Sequence, residues 1–174
     1  SAVTPIQGAG FGGHFVTAEG HTELPNERRR VSLNVVAPKY FETLGTPLLA
    51  GRDFRFDDEH RSRVAIINQS MARYFFGETD PIGKRVYFDD GPKPHEVVGV
   101  VGDAKYLEIR ESPPLTMYGN MFQEGQFFSQ FVLRTGLEPN SIVGEVRCAV
   151  RETLKAVPVT RMITLADQVD ASII

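Results

Sequence analysis

The apolar positions change period along this chain, and each period predicts an element. Residues 14–18 make a short β candidate, and residues 30–36 alternate, with Val31, Leu33 and Val35 against Ser32 and Asn34. That period of two marks a half-buried strand. Pro38 suits a first helical position, and Tyr40, Phe41 and Leu44 give the short helix one apolar stripe. Gly45 closes it and Pro47 blocks its continuation. Residues 63–68 form another strand, and Asn68 caps a helix whose Met71, Ala72 and Phe75 fall at helical spacing before Gly77. A turn at Asp80-Pro81-Ile82-Gly83 leads into a strand at 84–89, and Asp90-Gly91-Pro92 punctuates a hairpin to a strand at 96–101.

Beyond a polar stretch with Pro113-Pro114, strands are predicted at 116–122 and 128–134. The longest helical stripe follows. Ile142, Val143, Val146, Ala149, Val150 and Leu154 trace one face between Asn140 and Ala156, and Pro158 ends it. A strand at 159–163 and a capping box of Thr164 with Asp167 introduce a terminal helix. Strands cluster around a few helices without regular βαβα alternation, so the fold class is α+β. Changes in character near residues 37 and 113 suggest a central unit inserted into a discontinuous outer one.

Composition narrows the function more than the fold. The chain has 174 residues, 41% hydrophobic and 24% charged, which suits one domain or two small ones. The 19 Lys and Arg face 22 Asp and Glu, so the surplus cation that phosphate backbones require is missing and no nucleic-acid partner is expected. A single cysteine, Cys148, excludes an internal disulfide framework and a multi-cysteine zinc site. No run reaches the roughly 18 apolar residues that cross a bilayer. Ser1 opens a polar, Gly-rich segment with neither a charged n-region nor an h-region, which fits a processed chain or an excised domain.

Candidate chemistry is plentiful by letter and poor by context. Gly8-x-Gly10-x-x-Gly13 spells the dinucleotide fingerprint, but a strand pattern follows it where a helix should face pyrophosphate. It reads as a turn-forming loop. Asp57-Asp58-Glu59-His60 offers hard-cation ligands without the spacing or glycine of a calcium loop, and reads as a solvated acidic loop. His14, His21, His60 and His95 are scattered, with no pair at helical spacing for zinc. No Gly-x-Ser-x-Gly elbow occurs, and Cys148 lies inside a helix, away from the N-terminal dipole that would activate it. Asp89 and Asp90 sit at a hairpin, where turn geometry explains them. Arg28-Arg29-Arg30 reads as a solvated strand end, and the sequon Asn68-Gln69-Ser70 is better explained as a helix cap. No enzyme, cofactor or metal is expected.

One feature asks for a partner. Met117, Tyr118, Met121, Phe122, Phe127, Phe128 and Phe131 surround Gln123-Glu124-Gly125 and predict an aromatic hairpin. Strand alternation buries about half of such a set. The remainder, with Tyr118, Phe122, Phe127 and Phe128 as the candidate interface, would form an exposed patch.

Three blocks together resemble a known family, the MacB-like periplasmic core domain of ABC transporter permeases. Residues 40–54, YFETLGTPLLAGRDF, resemble its first block. Val64-Ala65-Ile66-Ile67-Asn68, with Ala72, Phe75-Phe76-Gly77 and Asp80-Pro81-Ile82-Gly83-Lys84-Arg85-Val86, is similar to its strand–helix–turn block. Glu96-Val97-Val98-Gly99-Val100-Val101-Gly102-Asp103 is similar to its valine-rich strand. Within the family, the spelling looks closest to the duplicated permeases of acidobacteria.

The resemblance implies two subdomains. A porter-like α/β-sandwich part would comprise residues 1–36 and 114–174, its first helix lying upstream, with a smaller α+β insertion at 37–113. It also implies a periplasmic location between two transmembrane helices of a cytoplasmic (inner) membrane protein. The implied role is non-catalytic, transmitting ATP-driven helix motion to export or to a partner. The implied partners are the permease's own transmembrane helices, a separate ABC ATPase and, in some members, a periplasmic adaptor or a lipoprotein or peptide cargo. The alternative is a ligand-sensing or substrate-binding domain of the same kind of permease, with a pocket lined by Tyr118, Phe127 and Phe128.

Overall fold

The computed structural model describes residues 13–22, 30–88, 93–104, 113–125, 130–155 and 158–171. Among them are seven strands: β1 Gly13–Ala18, β2 Arg30–Val36, β3 Leu48–Gly51, β4 Val64–Asn68, β5 Arg85–Phe88, β6 His95–Val101 and β7 Thr116–Asn120. The helices are α1 Tyr40–Leu44, α2 Gln69–Phe76, α3 Met121–Glu124, α4 Val143–Thr153 and α5 Leu165–Ala171.

The strands join one sheet in the order β3-β6-β4-β7-β2-β1-β5. A further pairing of β5 with β6, Arg85 opposite Glu96 and Val86 opposite His95, closes six of them into a ring. β3 continues the same edge of β6, with Leu48 opposite Val101 and Gly51 opposite Gly99. Closure leaves little unpaired edge and encloses a core.

Strands β2, β4, β6 and β7 divide their buried apolar side chains between two cores, while β1 and β5 serve one. Val16, Ala18, Val31, Ala65, Ile67, Val86, Val97 and Met117 come from all six ring strands and share one cluster, which therefore fills the ring. Met71, Phe75 and Phe76 of α2 pack into the same cluster. On the outer face, Val36, Val64, Ile66, Val98, Val101 and Tyr118 meet Tyr40 and Phe41 of α1 and Phe54. Ile66 and Ile67 are adjacent and both fully buried. Each such side chain contributes about 1.5–3 kcal/mol by leaving water.

A bulge keeps β6 in phase with this division. Ala65 pairs with Val97 and Ile66 with Gly99, so Val98 is the extra residue. Val97 and Val100, three apart, consequently share the inner core, while Val98 and Val101 share the outer one. Gly99 is required here, because a Cβ would collide with the Arg52 carbonyl.

Asn68 ties the strand–helix corner together. Its Oδ1 accepts the amides of Met71 at 3.1 Å and Thr116 at 2.9 Å. Its Nδ2 donates to Asp103 at 2.7 Å and to the Pro114 carbonyl at 2.9 Å. Full burial of Asn68 agrees with the capping role read from the sequence.

Several expectations change. The strand expected at 116–122 stops at Asn120, because the Asn120 side chain caps α3 by accepting the Phe122 amide at 3.1 Å. The aromatic hairpin is accordingly not formed over the described residues. Residues 130–135 and 158–163 carry no regular element where strands were expected. β3 was not anticipated; four residues are too few to show a period. Pro38 lies before α1, whose N-cap is Lys39. The Gly-rich segment 1–12, Arg28, Arg29, Asp89 and Asp90 lie outside the described residues.

The boundaries expected at residues 37 and 113 lie just after β2 and just before β7. β7 pairs with β2 on one side and with β4 on the other, joining strands assigned to different subdomains. By compactness the chain divides into Ser1–Val132 and Leu133–Ile174. In the second unit, a turn at Pro139–Ile142 leads into α4, and Thr164 accepts the Asp167 amide at 3.0 Å ahead of α5.

Candidate functional site

Three of the polar residues buried in the first unit, Asp58, His95 and Asn120, bond to α3. Two rows of hydrogen bonds hold this short helix. Gln123 Oε1 accepts the Val64 amide at 2.9 Å, while its Nε2 donates to the carbonyls of Asp58 at 2.6 Å and Ser62 at 3.0 Å. Glu124 lies between two basic groups: His95 Nε2 donates to Oε1 at 2.9 Å, and Arg63 donates to Oε2 at 3.4 Å. Gly119 makes room for it, since a Cβ there would stand 3.2 Å from Glu124 Cγ. Burial pushes the Glu124 carboxyl up, but the His95 hydrogen bond and the charges of His95 and Arg63 outweigh it, leaving it below the usual range.

A second ion pair fixes the turn beneath Gln123. Asp58, in the turn Phe56–His60, receives both guanidinium nitrogens of Arg52 at 2.8 and 2.9 Å and the Arg55 amide at 2.8 Å. Burial raises its carboxyl, yet the bidentate Arg52 and the Arg55 amide pull it below the usual range. Asp58 is fully buried, which corrects the reading of 57–60 as a wholly solvated loop: the carboxylate is needed to cap the turn. Asp57 keeps to the surface, paired with Arg61 at 3.0 Å.

Of the residues expected to form an interface, Tyr118 and Phe122 are described. Tyr118 is fully buried, its ring 4.8 Å from that of Phe41 in the outer core, so it lines neither a surface patch nor a pocket. Phe122 is half-buried on α3, with its ring 5.7 Å from the exposed Phe56. Phe127 and Phe128 lie outside the described residues. Gln123, Glu124, Arg63 and His95 escaped sequence reading, because Gln-Glu-Gly resembles a hairpin turn and a four-residue helix shows no period. The usable signal was Gly125, which adopts a positive φ of 62° as the helix stop.

Among the described residues, no three His, Cys, Asp or Glu side chains are grouped to hold a metal ion. Cys148 is exposed on α4, its thiol 3.5 Å from Glu152. No described helix is long and apolar enough to cross a membrane. What the arrangement supplies is a ring-closed body to which α3 is fastened by side chains.

A family model for the MacB-like periplasmic core domain matches residues 1–170. The chain belongs to that family. Such domains are periplasmic or extracellular parts of ABC transporter permeases, whose membrane helices and ABC ATPase membership implies. Solved structures agree on the fold. The periplasmic region of MacB from Actinobacillus actinomycetemcomitans matches with a TM-score of 0.59 at 17% identity, over 92% of this chain and 73% of that one. The extracellular domain of the ABC-type transporter YknZ from Gram-positive bacteria matches with a TM-score of 0.50 at 21% identity, over 81% of this chain and 73% of that one. No curated protein matches the chain by sequence.

Proposed function

We propose that this MacB-like domain passes the ATP-driven motion of its permease's membrane helices to export or to a periplasmic partner, with no chemistry of its own. The observation that supports this reading is the fastening of α3. A body that transmits displacement must resist deformation where the chain leaves it. Here the chain leaves β7 through a helix tied by Gln123 to residues 58–64 and by Glu124 to β6. Packed elements joined by satisfied polar bonds move together.

The test loosens this fastening in the complete permease. Gln123→Ala combined with Glu124→Gln should leave ATP hydrolysis in isolated membranes intact. Export should fall by about tenfold, the size of a modest coupling energy. Exported material is compared between wild-type, variant and permease-deleted cells. A wild-type export profile from a folded, normally produced variant would overturn the proposal.

A further inference from the structure

The inner face of the ring runs past its apolar core into a polar group. Met117 and Val97 belong to the inner cluster, and Gly119 and His95 stand two residues from them on the same strands, so they share that face. Glu124 passes over Gly119, and its carboxylate meets His95. His95 is 3% exposed, its ring edge-to-face with Phe88 of β5 at 5.0 Å, and its Nδ1 has no hydrogen-bond partner. The polar attachment of this buried ring therefore runs through Nε2 to Glu124.

No residue of α3 is itself buried, so polar bonds carry much of its hold on the ring. Asn120 caps it, and Gln123 bonds to residues 58, 62 and 64; both side chains are neutral. Glu124 alone holds by charge. The cations that face it are His95 from β6 and Arg63 ahead of β4, while β7 presents Gly119. In the turn Phe56–His60, Asp58 gives its carboxylate to Arg52, and Asp57 pairs with Arg61. The charged residue of β2 is Arg30, at its start. Around His95, β5 presents Phe88, with His14 of β1 against the same ring.

Protonating Glu124 removes the negative charge that lies between His95 and Arg63. His95 then faces a neutral carboxyl from a buried position, its Nδ1 still without an acceptor, and a bond to a charged partner becomes an ordinary one. The bond and charges of His95 and the charge of Arg63 hold this carboxyl below the usual range against burial. Once α3 lifts away those causes are gone, and the carboxyl takes up a proton more readily. Acid therefore favours the lifted helix.

We propose that Glu124 is an acid-sensitive latch: seated between His95 and Arg63, its carboxylate holds α3 against the ring, and its protonation frees the helix while the ring stays closed. The consequence for transport rests on the coupling reading above, since α3 is where motion is there taken to leave β7. Opening itself needs neither ATP nor membrane, so the latch and the coupling can fail separately.

The test reads amide exchange in the 174-residue chain by NMR. The reporter is the Val64 amide, which donates to Gln123; the reference is the amide of Ile67, fully buried on the same strand. Val64 should be about tenfold less protected than Ile67 and insensitive to urea below about 1 M, the mark of a local opening. Its protection should fall by about fivefold or more from about pH 6 to about pH 3.5. In Glu124→Gln the fall should vanish, with Val64 already less protected at the higher pH. Arg63→Gln, which keeps the carboxylate and removes one cation, should move the fall to higher pH. Protection and urea response matching those of Ile67, no fall with acid, a fall that persists in Glu124→Gln, or one unmoved by Arg63→Gln would each overturn the proposal.

Discussion

The two units of this chain carry equally clear apolar patterns and use them differently. In the first, every residue of β4 is buried, because β6 and β7 pair with it on either side and both of its faces meet a core. In the second, α4 has a continuous stripe through Val143, Val146 and Val150, yet no residue of it is buried and these three are half-buried. Periodicity names the face of an element that can be buried. What covers that face is a separate matter, decided by which other elements lie against it.

The widest gap between the units should appear on truncating their apolar residues. Met71→Ala, at a fully buried position in the ring, should cost about 2–5 kcal/mol in urea unfolding, whereas Val146→Ala should cost less than about 1 kcal/mol. Comparable losses would erase the distinction. Next comes the ion pair. Arg52→Ala leaves Asp58 buried without its bidentate partner and should cost about 3 kcal/mol. A loss below about 0.5 kcal/mol, typical of a surface pair, would show that water replaces the arginine.

Helix caps sharpen the comparison at smaller scale. Asn68→Ala removes four bonds at a buried corner and should cost about 2 kcal/mol or more. Thr164→Ala removes an exposed cap and should cost about 0.5–1 kcal/mol, read as local fraying of α5 by hydrogen exchange. The smallest effect is on acid tolerance. Glu124 and Asp58 have folded-state values below their ordinary ones, so the unfolded chain takes up their protons first. Their stabilisation is complete above the unfolded-state values and is lost as pH falls through the folded ones, beginning below about pH 4.5. Asp53, raised by burial, works with the opposite sign. Glu124→Gln should flatten the acid-side decline; an unchanged slope would show that His95 and Arg63 do not hold a charged carboxylate there.

Strand cores and helix stops were legible from residues alone. Val31, Ala65, Ile67 and Val97 lie on strands that the sequence predicted, and Gly45, Gly77 and Asn68 end or cap helices as read. The family blocks were legible as well, since their turns and packing residues lie close in sequence. The site was far less so. Tyr118 was singled out for its aromaticity, but its direction depends on a strand phase that only its neighbours fix. Glu124 and His95 are 29 residues apart and share no motif.

By itself, the sequence determined most of the local elements of the first unit, the class and the family, because these depend on periods, caps and turn residues close together in the chain. Tertiary structure decided the rest. The β5–β6 pairing closed the ring, the Val98 bulge set which valines face which core, and Gly119 opened the space that Glu124 occupies. Each is a meeting of distant backbone segments, governed by hydrogen-bond register and close packing. No single stretch of sequence contains both halves of such a contact.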